Sequence, residues 1–269
     1  LETPEGKMAV HDRLLDIQKG TPVPFTLTVK KEVFYRDRKE EKAPRLIVFP
    51  PLDFRVAEKM IMGDPGRVAK GILGDAYAFQ YTPNQRVKKM VEMWGSKKTP
   101  CAICVDAKCF DSSINLEDVG LETELYALAS DNPEQVRALG RYYAEGPMVS
   151  PEGVPLGHRF CRSSGVLTTS SSNCITCYIK VSAACARIGL KGVSLLIAGD
   201  DCLITCERPI CDPCEALGAA LRSYGYNCEP SYHASLDTAP FCSTWLAECN
   251  ANGSRHFFLT TDFRRPLAR

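Results

Sequence analysis

The chain has 269 residues, of which 45% are hydrophobic and 24% charged, so it is long enough to bury one large core or two smaller ones. Its formal net charge of +1 excludes a uniformly basic nucleic-acid binder, so any nucleic-acid surface must be a local groove. No apolar run reaches about 18 residues, and the first residues do not resemble a signal peptide. We therefore expect a cytosolic protein, excerpted from a longer one because the sequence starts without Met and ends without a terminal motif.

A long basic β-hairpin is predicted near the start of the chain. Residues 27–35 and 45–49 have the apolar and β-branched composition of strands, and a charged stretch joins them. The basic residues that could line a groove for phosphates are Lys30, Lys31, Arg36, Arg38, Lys39, Lys42 and Arg45. The alternative, left open by the sequence, is a solvated edge hairpin whose lysines discourage strand pairing with other molecules.

Fourteen cysteines without a secretory signal indicate reduced thiols that serve as small core residues. Three Cys-x-x-Cys pairs could suggest zinc: Cys101/Cys104, Cys174/Cys177 and Cys211/Cys214. The first pair lies in a predicted strand, where positions three apart face opposite sides, so structural zinc is disfavoured.

Two predicted strand ends carry carboxylates. The apolar run 101–105 ends at Asp106, and two apolar strands in 193–206 are joined by Gly199-Asp200-Asp201. A glycine that can adopt φ > 0 favours a tight turn there, and adjacent aspartates are favoured where a cation neutralises them. Asp106, Asp200 and Asp201 together are predicted to form a three-carboxylate cluster for two magnesium or manganese ions. The alternative is a plain surface turn, in which Asp is common.

A hydroxyl-rich stretch, residues 161–173, precedes a helical apolar face that runs from Ile175 to a closing Gly189. We interpret the stretch as a recognition loop. A last hairpin is predicted from 242–249 and 255–260. The alternation of strands and helices predicts an α/β (α+β) fold. P-loop, dinucleotide-binding, zincin and serine-hydrolase motifs are not present in the sequence.

The order of three short motifs resembles motifs A, B and C of viral RNA-dependent RNA polymerases. They are Asp106-x4-Asp111, then Ser164-Gly165-x3-Thr169-x3-Asn173, then Gly199-Asp200-Asp201. Residues 30–34, 43–50, 109–112, 161–169, 176–180 and 266–269 are similar to the hepacivirus and pegivirus group, the pegiviruses above all.

The resemblance implies a right-hand polymerase that replicates a positive-strand viral RNA genome. It implies fingers in residues 1–75 and 114–168, a palm in 76–113 and 169–246 with an antiparallel sheet and the Gly-Asp-Asp hairpin, and the start of a thumb in 247–269. The fingers would be built of helices and β-strands.

The resemblance also implies roles for single residues. Asp106, Asp200 and Asp201 would be catalytic and hold two Mg2+ (or Mn2+) ions, and Lys30 and Arg45 would bind the incoming phosphates. The residues implied to read or support the ribose 2′-hydroxyl are Asp111, Ser164, Thr169 and Asn173. Ser243 and Arg269 match positions near the priming nucleotide, whereas a second priming arginine of hepatitis C-like enzymes falls on Thr261. The general acid is unassigned, because Arg222 lies only near its expected position.

The implied partners are an RNA template, the nascent strand, NTPs and other viral replication proteins. Membrane contact would come only through a tail absent from this chain, on the cytoplasmic face of ER-derived membranes in the host cell. The alternative function is a non-catalytic RNA-binding module that could hold zinc. A reverse transcriptase or DNA polymerase would share the carboxylates but would commonly place a bulky aromatic near the sugar, and a metal-dependent nuclease is the remaining enzyme class.

Overall fold

The structure, a computed structural model, describes residues 2–31, 44–251 and 254–261. The helices of the described residues are α1 Pro4–Lys19, α2 Leu52–Met62, α3 Pro65–Leu73, α4 Pro83–Gly95, α5 Phe110–Ser113, α6 Leu116–Leu128, α7 Pro133–Ala144, α8 Thr169–Arg187 and α9 Cys214–Ser223. The strands are β1 Phe25–Val29, β2 Leu46–Phe49, β3 Pro100–Ala107, β4 Gly146–Val149, β5 Pro155–Arg159, β6 Ser194–Ala198, β7 Asp201–Glu207, β8 Cys228–His233, β9 Thr244–Ala251 and β10 Ser254–Thr261. The mixed α/β (α+β) class predicted from the sequence is confirmed.

The chain folds into two compact units, each built from two separate stretches. The first unit comprises residues 1–68 and 111–172, and the second comprises 69–110 and 173–269. The charged stretch 36–42 of the predicted basic hairpin and the predicted priming residue Arg269 lie outside the described residues.

The first unit contains a four-stranded sheet in the order β2-β1-β4-β5. β1 pairs antiparallel with β2 and parallel with β4, so the predicted N-terminal hairpin is present in its described part. Helices cover the sheet, and their core is aromatic: the Phe54 ring lies 5.2 Å from Phe25 and 5.4 Å from Tyr142, both edge to face. Through Phe25, this core packs against β1.

The second unit contains an antiparallel sheet in the order β6-β7-β3-β8, together with the β9–β10 hairpin. The central strands β3 and β7 are apolar on both faces and buried, which explains their continuous apolar sequence. Met90, Leu196, Leu203 and Phe241 form part of the core against one face. The buried sheet therefore holds the residues at its strand ends in place.

α4 is capped by Thr82, because Thr82 and Gln85 form a reciprocal capping box and Pro83 takes the first helical position. α8 begins at Thr169, so the last part of the predicted recognition loop, residues 161–173, is helical. In the described part of the chain, no helix combines the length and apolar character needed to cross a bilayer.

Candidate active site

The Gly199-Asp200-Asp201 turn joins β6 to β7, as predicted. Gly199 has φ +73°, a left-handed conformation that L-residues rarely adopt, and Ala198 pairs with Asp201 across the turn. β3 pairs with β7 up to Val105 opposite Cys202, so the same register brings Asp106 opposite Asp201. Side chains directly opposite each other in an antiparallel pair share one face of the sheet. All three predicted metal-binding aspartates therefore lie at one end of one sheet.

The electrostatics of Asp201 show that these carboxylates interact. The pKa of Asp201 is raised to about 6, mainly by burial and to a smaller extent by the charges of Asp200 and Asp106, while a hydrogen bond with the Cys242 thiol opposes the rise. Like charges at this range repel, and a bound cation would remove the repulsion. The donor set of three carboxylates fits a hard divalent cation. Among the residues that the structure describes, no group of three or more His, Cys, Asp or Glu side chains is close enough to hold a metal ion as it stands.

A cavity of about 390 Å3 lies beside this end of the sheet. Asp106, Asp201 and Ser243 line it, so the predicted priming residue Ser243 is next to two of the predicted metal ligands. Lys108 and Glu229 form an ion pair on another wall. Ser243 is exposed and has φ +57°, which is strained for a residue other than glycine.

The predicted phosphate-binding residues lie next to each other, just beyond the last paired residues of β1 and β2, Val29 and Leu46. The Lys30 backbone N–H donates to the Arg45 carbonyl at 2.8 Å, which extends the strand pair by one step. Both residues are exposed. The structure therefore brings Lys30 and Arg45 together in the first unit and leaves their cationic groups accessible to solvent.

Residues 162–169, a part of the predicted recognition loop 161–173, contain the predicted ribose residues Ser164 and Thr169 and are named the ribose-reading loop. This loop is attached to β2 of the same unit. The Ser163 hydroxyl and the Gly165 N–H both donate to the Val48 carbonyl, at 2.7 and 2.8 Å. The Val48 N–H in turn donates to the Ser164 hydroxyl oxygen at 3.2 Å. Three consecutive loop residues are thus held by one strand residue, which lies three positions after Arg45.

Gly165 is required by this close approach. A Cβ at Gly165 would lie 2.5 Å from Phe49 Cβ and 2.7 Å from the Val48 carbonyl oxygen. Carbon atoms normally stay about 3.5 Å or more apart, so only glycine lets the loop reach the strand.

Two other predicted ribose residues, Thr169 and Asp111, are hydrogen-bonded to the same loop. The Thr169 hydroxyl donates to the Ser163 and Val166 carbonyls, at 3.0 and 2.9 Å, and so closes the loop onto the start of α8. The Arg162 N–H donates to the Asp111 carbonyl at 3.1 Å. Asn173 follows Thr169 by four residues on α8 and is 7% exposed. The Thr169 side chain thereby holds the loop through backbone carbonyls of loop residues. Asp111 is attached to the loop through its own backbone carbonyl.

A buried ion pair supports the beginning of the loop. Arg162 and Glu122 on α6 form a side-chain hydrogen bond, and both side chains are almost fully buried, at 0% and 3% exposed. A buried guanidinium needs such a partner because its desolvation is costly. The pair therefore fixes the residue directly before Ser163.

Sequence reasoning missed Glu58, which lies beneath the middle of the loop. The Leu167 N–H donates to Glu58 Oε1 at 2.9 Å, and Glu58 is 1% exposed. A sequence signal existed, because Phe54, Ala57 and Glu58 occupy the helical spacing of a single buried face on α2. An acid on such a face is a candidate for a structural or functional role.

Eight of the fourteen cysteines are buried and serve as core residues, as predicted, whereas Cys109, Cys211 and Cys249 are exposed. All fourteen are free thiols, and burial raises the pKa of both Cys104 and Cys174 to about 12. Cys101 lies on β3 opposite Cys206 on β7, with 3.4 Å between their sulfur atoms. Both cysteines of the first Cys-x-x-Cys pair thus lie within β3 and pack in the sheet beside β7.

The second unit has an antiparallel sheet with carboxylates at a Gly-Asp-Asp hairpin, and further helices and strands lie outside this sheet. These features define the class of polymerase palm and fingers domains. Comparison with known proteins agrees: the family described as "Viral RNA dependent RNA polymerase" matches residues 5–269. The chain belongs to this viral RNA-dependent RNA polymerase family.

The similar proteins include genome polyproteins of hepatitis C viruses. The polyprotein of genotype 6a (isolate EUHK2) is 38% identical over 277 residues, which cover 97% of this chain and 9% of that polyprotein. The polyprotein of genotype 3a (isolate k3a) is 38% identical over 265 residues, with 93% and 9% covered. The chain therefore spans about a tenth of the length of these relatives. The predicted resemblance to the hepatitis C group is confirmed, and the closer likeness to pegiviruses stays a prediction. Polymerases of this family generally use divalent metal ions.

Proposed function

We propose that this chain contains the catalytic centre of an RNA-directed RNA polymerase that replicates a positive-strand viral RNA genome. The observation that carries the proposal is the carboxylate end of the β6-β7-β3 sheet, where the charges of Asp106 and Asp200 raise the pKa of Asp201. Family membership over nearly the whole chain supports the reaction class. Phosphoryl transfer is catalysed mainly by positioning and charge neutralisation, which such a cluster can provide once it holds cations.

Asp106 and Asp200, with help from Asp201, would hold two Mg2+ or Mn2+ ions. When bound, these ions supply activation of the primer 3′-hydroxyl and neutralisation of the triphosphate and the leaving pyrophosphate. The protein residues contribute a fixed set of ligands, because the turn and the strand register set the backbone positions of all three. Ser243, at the wall of the same cavity, would contact the priming nucleotide together with Arg269.

The first unit would bind and read the incoming NTP. Lys30 and Arg45 would contact its phosphates, and the backbone hydrogen bond that holds the two residues side by side supports this. The Ser164 hydroxyl accepts one hydrogen bond from β2 and still has its own proton to donate to a ribose 2′-hydroxyl. Asp111 would add a carboxylate to this reading, and Thr169 would hold the loop that carries Ser164. Asn173, the first residue of the second unit after this stretch, would supply the amide that the resemblance implies.

The right-hand description of the fold is part of the proposal. Fingers would occupy 1–75 and 114–168, the palm 76–113 and 169–246, and the thumb would begin in 247–269. The change from one compact unit to the other near residues 68, 110 and 172 supports this division. The partners would be template RNA, the nascent strand and, given the polyprotein origin of the relatives, other viral replication proteins. The location would be the host cytoplasm at ER-derived membranes.

The test is template-dependent incorporation of labelled ribonucleotides by the complete polymerase that contains this chain, with magnesium or manganese present. Asp200→Asn should lower the rate by orders of magnitude, because it removes one ligand charge. Asp237→Asn, which changes an exposed carboxylate of the same unit, is the matched control and should retain activity.

Three results would contradict the proposal. Incorporation that survives Asp200→Asn would refute the assigned metal role. Degradation of labelled RNA without incorporation would indicate a nuclease. RNA binding without incorporation, unchanged in Asp200→Asn, would favour the non-catalytic binding module.

A further inference from the structure

Glu58 is a buried acid that the roles assigned above do not use. It lies on α2, is 1% exposed, and receives a hydrogen bond of 2.9 Å from the Leu167 backbone N–H. Leu167 lies between Ser164 and Thr169, in the part of the loop that β2 does not hold. Glu58 is therefore the contact from α2 to the middle of the ribose-reading loop.

Two hydroxyl groups, the first beside Glu58 and the second beside the first, lack hydrogen-bond partners of normal geometry. They belong to Tyr143 on α7 and to Thr168 in the loop, and both atoms are buried. Buried polar atoms without partners are uncommon in native proteins. A neutral carboxyl group can satisfy one of them by donating its proton, while its other oxygen accepts from Leu167.

We propose that Glu58 is a positioning residue for nucleotide selection: its carboxyl group holds Leu167 on α2 and thereby fixes the segment between Ser164 and Thr169. The inference rests on the proposed polymerase function, because it assigns the loop to the ribose 2′-hydroxyl. Glu58 acts through the loop and does not itself contact the nucleotide. The anchors at β2 hold residues 163–165, so loss of Glu58 would release the segment that leads into α8.

The ionisation state of Glu58 determines how firmly it holds the loop. Burial raises the pKa of Glu58 to about 7, although the Leu167 N–H, the Tyr143 hydroxyl and the Arg55 charge each lower it. In the closed state the loop covers Glu58, and in the open state it does not. Because the pKa of Glu58 is higher in the closed state, the neutral carboxyl group stabilises the closed loop, and this stabilisation is lost as the pH rises toward 7. Opening the loop lets water reach the ionised group. Raising the pH should therefore promote local opening.

Hydrogen exchange at the Leu167 amide measures this opening without any need for activity. For a pKa of 4.5 in the open state and about 7 in the closed state, the amide protection factor should fall by about tenfold between pH 6 and pH 8. Glu58→Gln keeps the acceptor oxygen and stays neutral, so its protection factor should not change with pH. Glu124→Gln, which removes an exposed charge on α6 of the same unit, is the matched control and should behave as the wild type.

Nucleotide selection provides the second measurement, made on the complete polymerase. The ratio of kcat/KM for a ribonucleotide to kcat/KM for its 2′-deoxy analogue should fall about tenfold in Glu58→Ala, which leaves the Leu167 N–H without its partner. The ratio should stay near that of the wild type in Glu58→Gln. A merely structural role would lower the active fraction for both nucleotides equally and leave the ratio unchanged.

The possible results separate this inference from the proposed function. Failure of the wild type to incorporate any nucleotide would refute the polymerase proposal, while the exchange measurement would still test the Glu58 contact. An active wild type whose ratio is unchanged in Glu58→Ala would refute the positioning role. A Leu167 protection factor that is constant from pH 6 to pH 8 in the wild type would refute the role of ionisation.

Discussion

Substituting Gly165 with Ala tests the contact between the ribose-reading loop and β2. The added Cβ would lie 2.5 Å from Phe49 Cβ, so loop and strand must move apart by about 1 Å to reach a normal separation. Overpacking of this kind costs about 1–3 kcal/mol, and stretching the 2.8 Å bond from Gly165 N–H to the Val48 carbonyl costs about 1 kcal/mol more. We expect a loss of about 2–4 kcal/mol in the free energy of unfolding.

Thermal unfolding and nucleotide selection together measure the effect. The expected loss corresponds to a fall in Tm of about 5–15 °C for a unit of this size. The ratio of ribonucleotide to 2′-deoxynucleotide incorporation should fall as well, because Ser164 moves with the loop. Gly120→Ala is the control: no atom lies within 4 Å of its added Cβ in α6, and alanine in a helix interior should stabilise by about 0.5–1 kcal/mol. A Gly165→Ala protein with wild-type Tm and wild-type nucleotide selection would refute the close approach.

Three further predictions concern stability, each measured by equilibrium unfolding. Arg162→Met should cost about 3–5 kcal/mol because it removes the guanidinium that faces the buried Glu122 carboxylate, and adding Glu122→Leu should restore most of that loss. No recovery in the double variant would contradict the explanation. Thr82→Ala should cost about 1 kcal/mol through loss of the capping box with Gln85, whereas Thr82→Ser should cost little. Glu58→Gln should stabilise by up to about 3 kcal/mol at pH 8 but by less than about 1 kcal/mol at pH 5, since only the ionised acid is penalised by burial; an equal gain at both pH values would contradict the raised pKa.

The carboxylate hairpin could be predicted from the sequence because its determinants are local. Gly199 supplies the positive φ that the turn needs, and the apolar runs on both sides have the length and composition of buried strands. Once β3 was recognised as a third strand, its end at Asp106 predicted where the carboxylates would meet. Sequence spacing is sufficient when the pairing follows directly from a short turn.

The start of α8 could not be predicted from local propensity. Ser and Thr compete with the helical backbone for hydrogen bonds, so residues 169–173 were expected to lie in a loop. In the structure the Thr169 hydroxyl is occupied by the Ser163 and Val166 carbonyls, and the following residues pack inside the protein. Tertiary contacts thereby override a weak local preference.

The supports of the ribose-reading loop could not be predicted because they are distant in sequence. Val48 is 116 residues away from Ser164, and Glu58 is 109 residues away from Leu167. No local pattern encodes such pairings. The acid on the apolar face of α2 was a signal of burial, but its partner became known only from the fold.

The short strand β2 has a consequence for how variants of this protein combine. Arg45 immediately precedes it, and Val48 within it holds the loop that carries Ser164. A substitution that shifts β2 will displace the proposed phosphate and sugar contacts at once. A variant with altered triphosphate affinity should therefore also have altered sugar discrimination. A second substitution that restores one property should restore the other. This strand is where epistasis between the two properties is expected to concentrate.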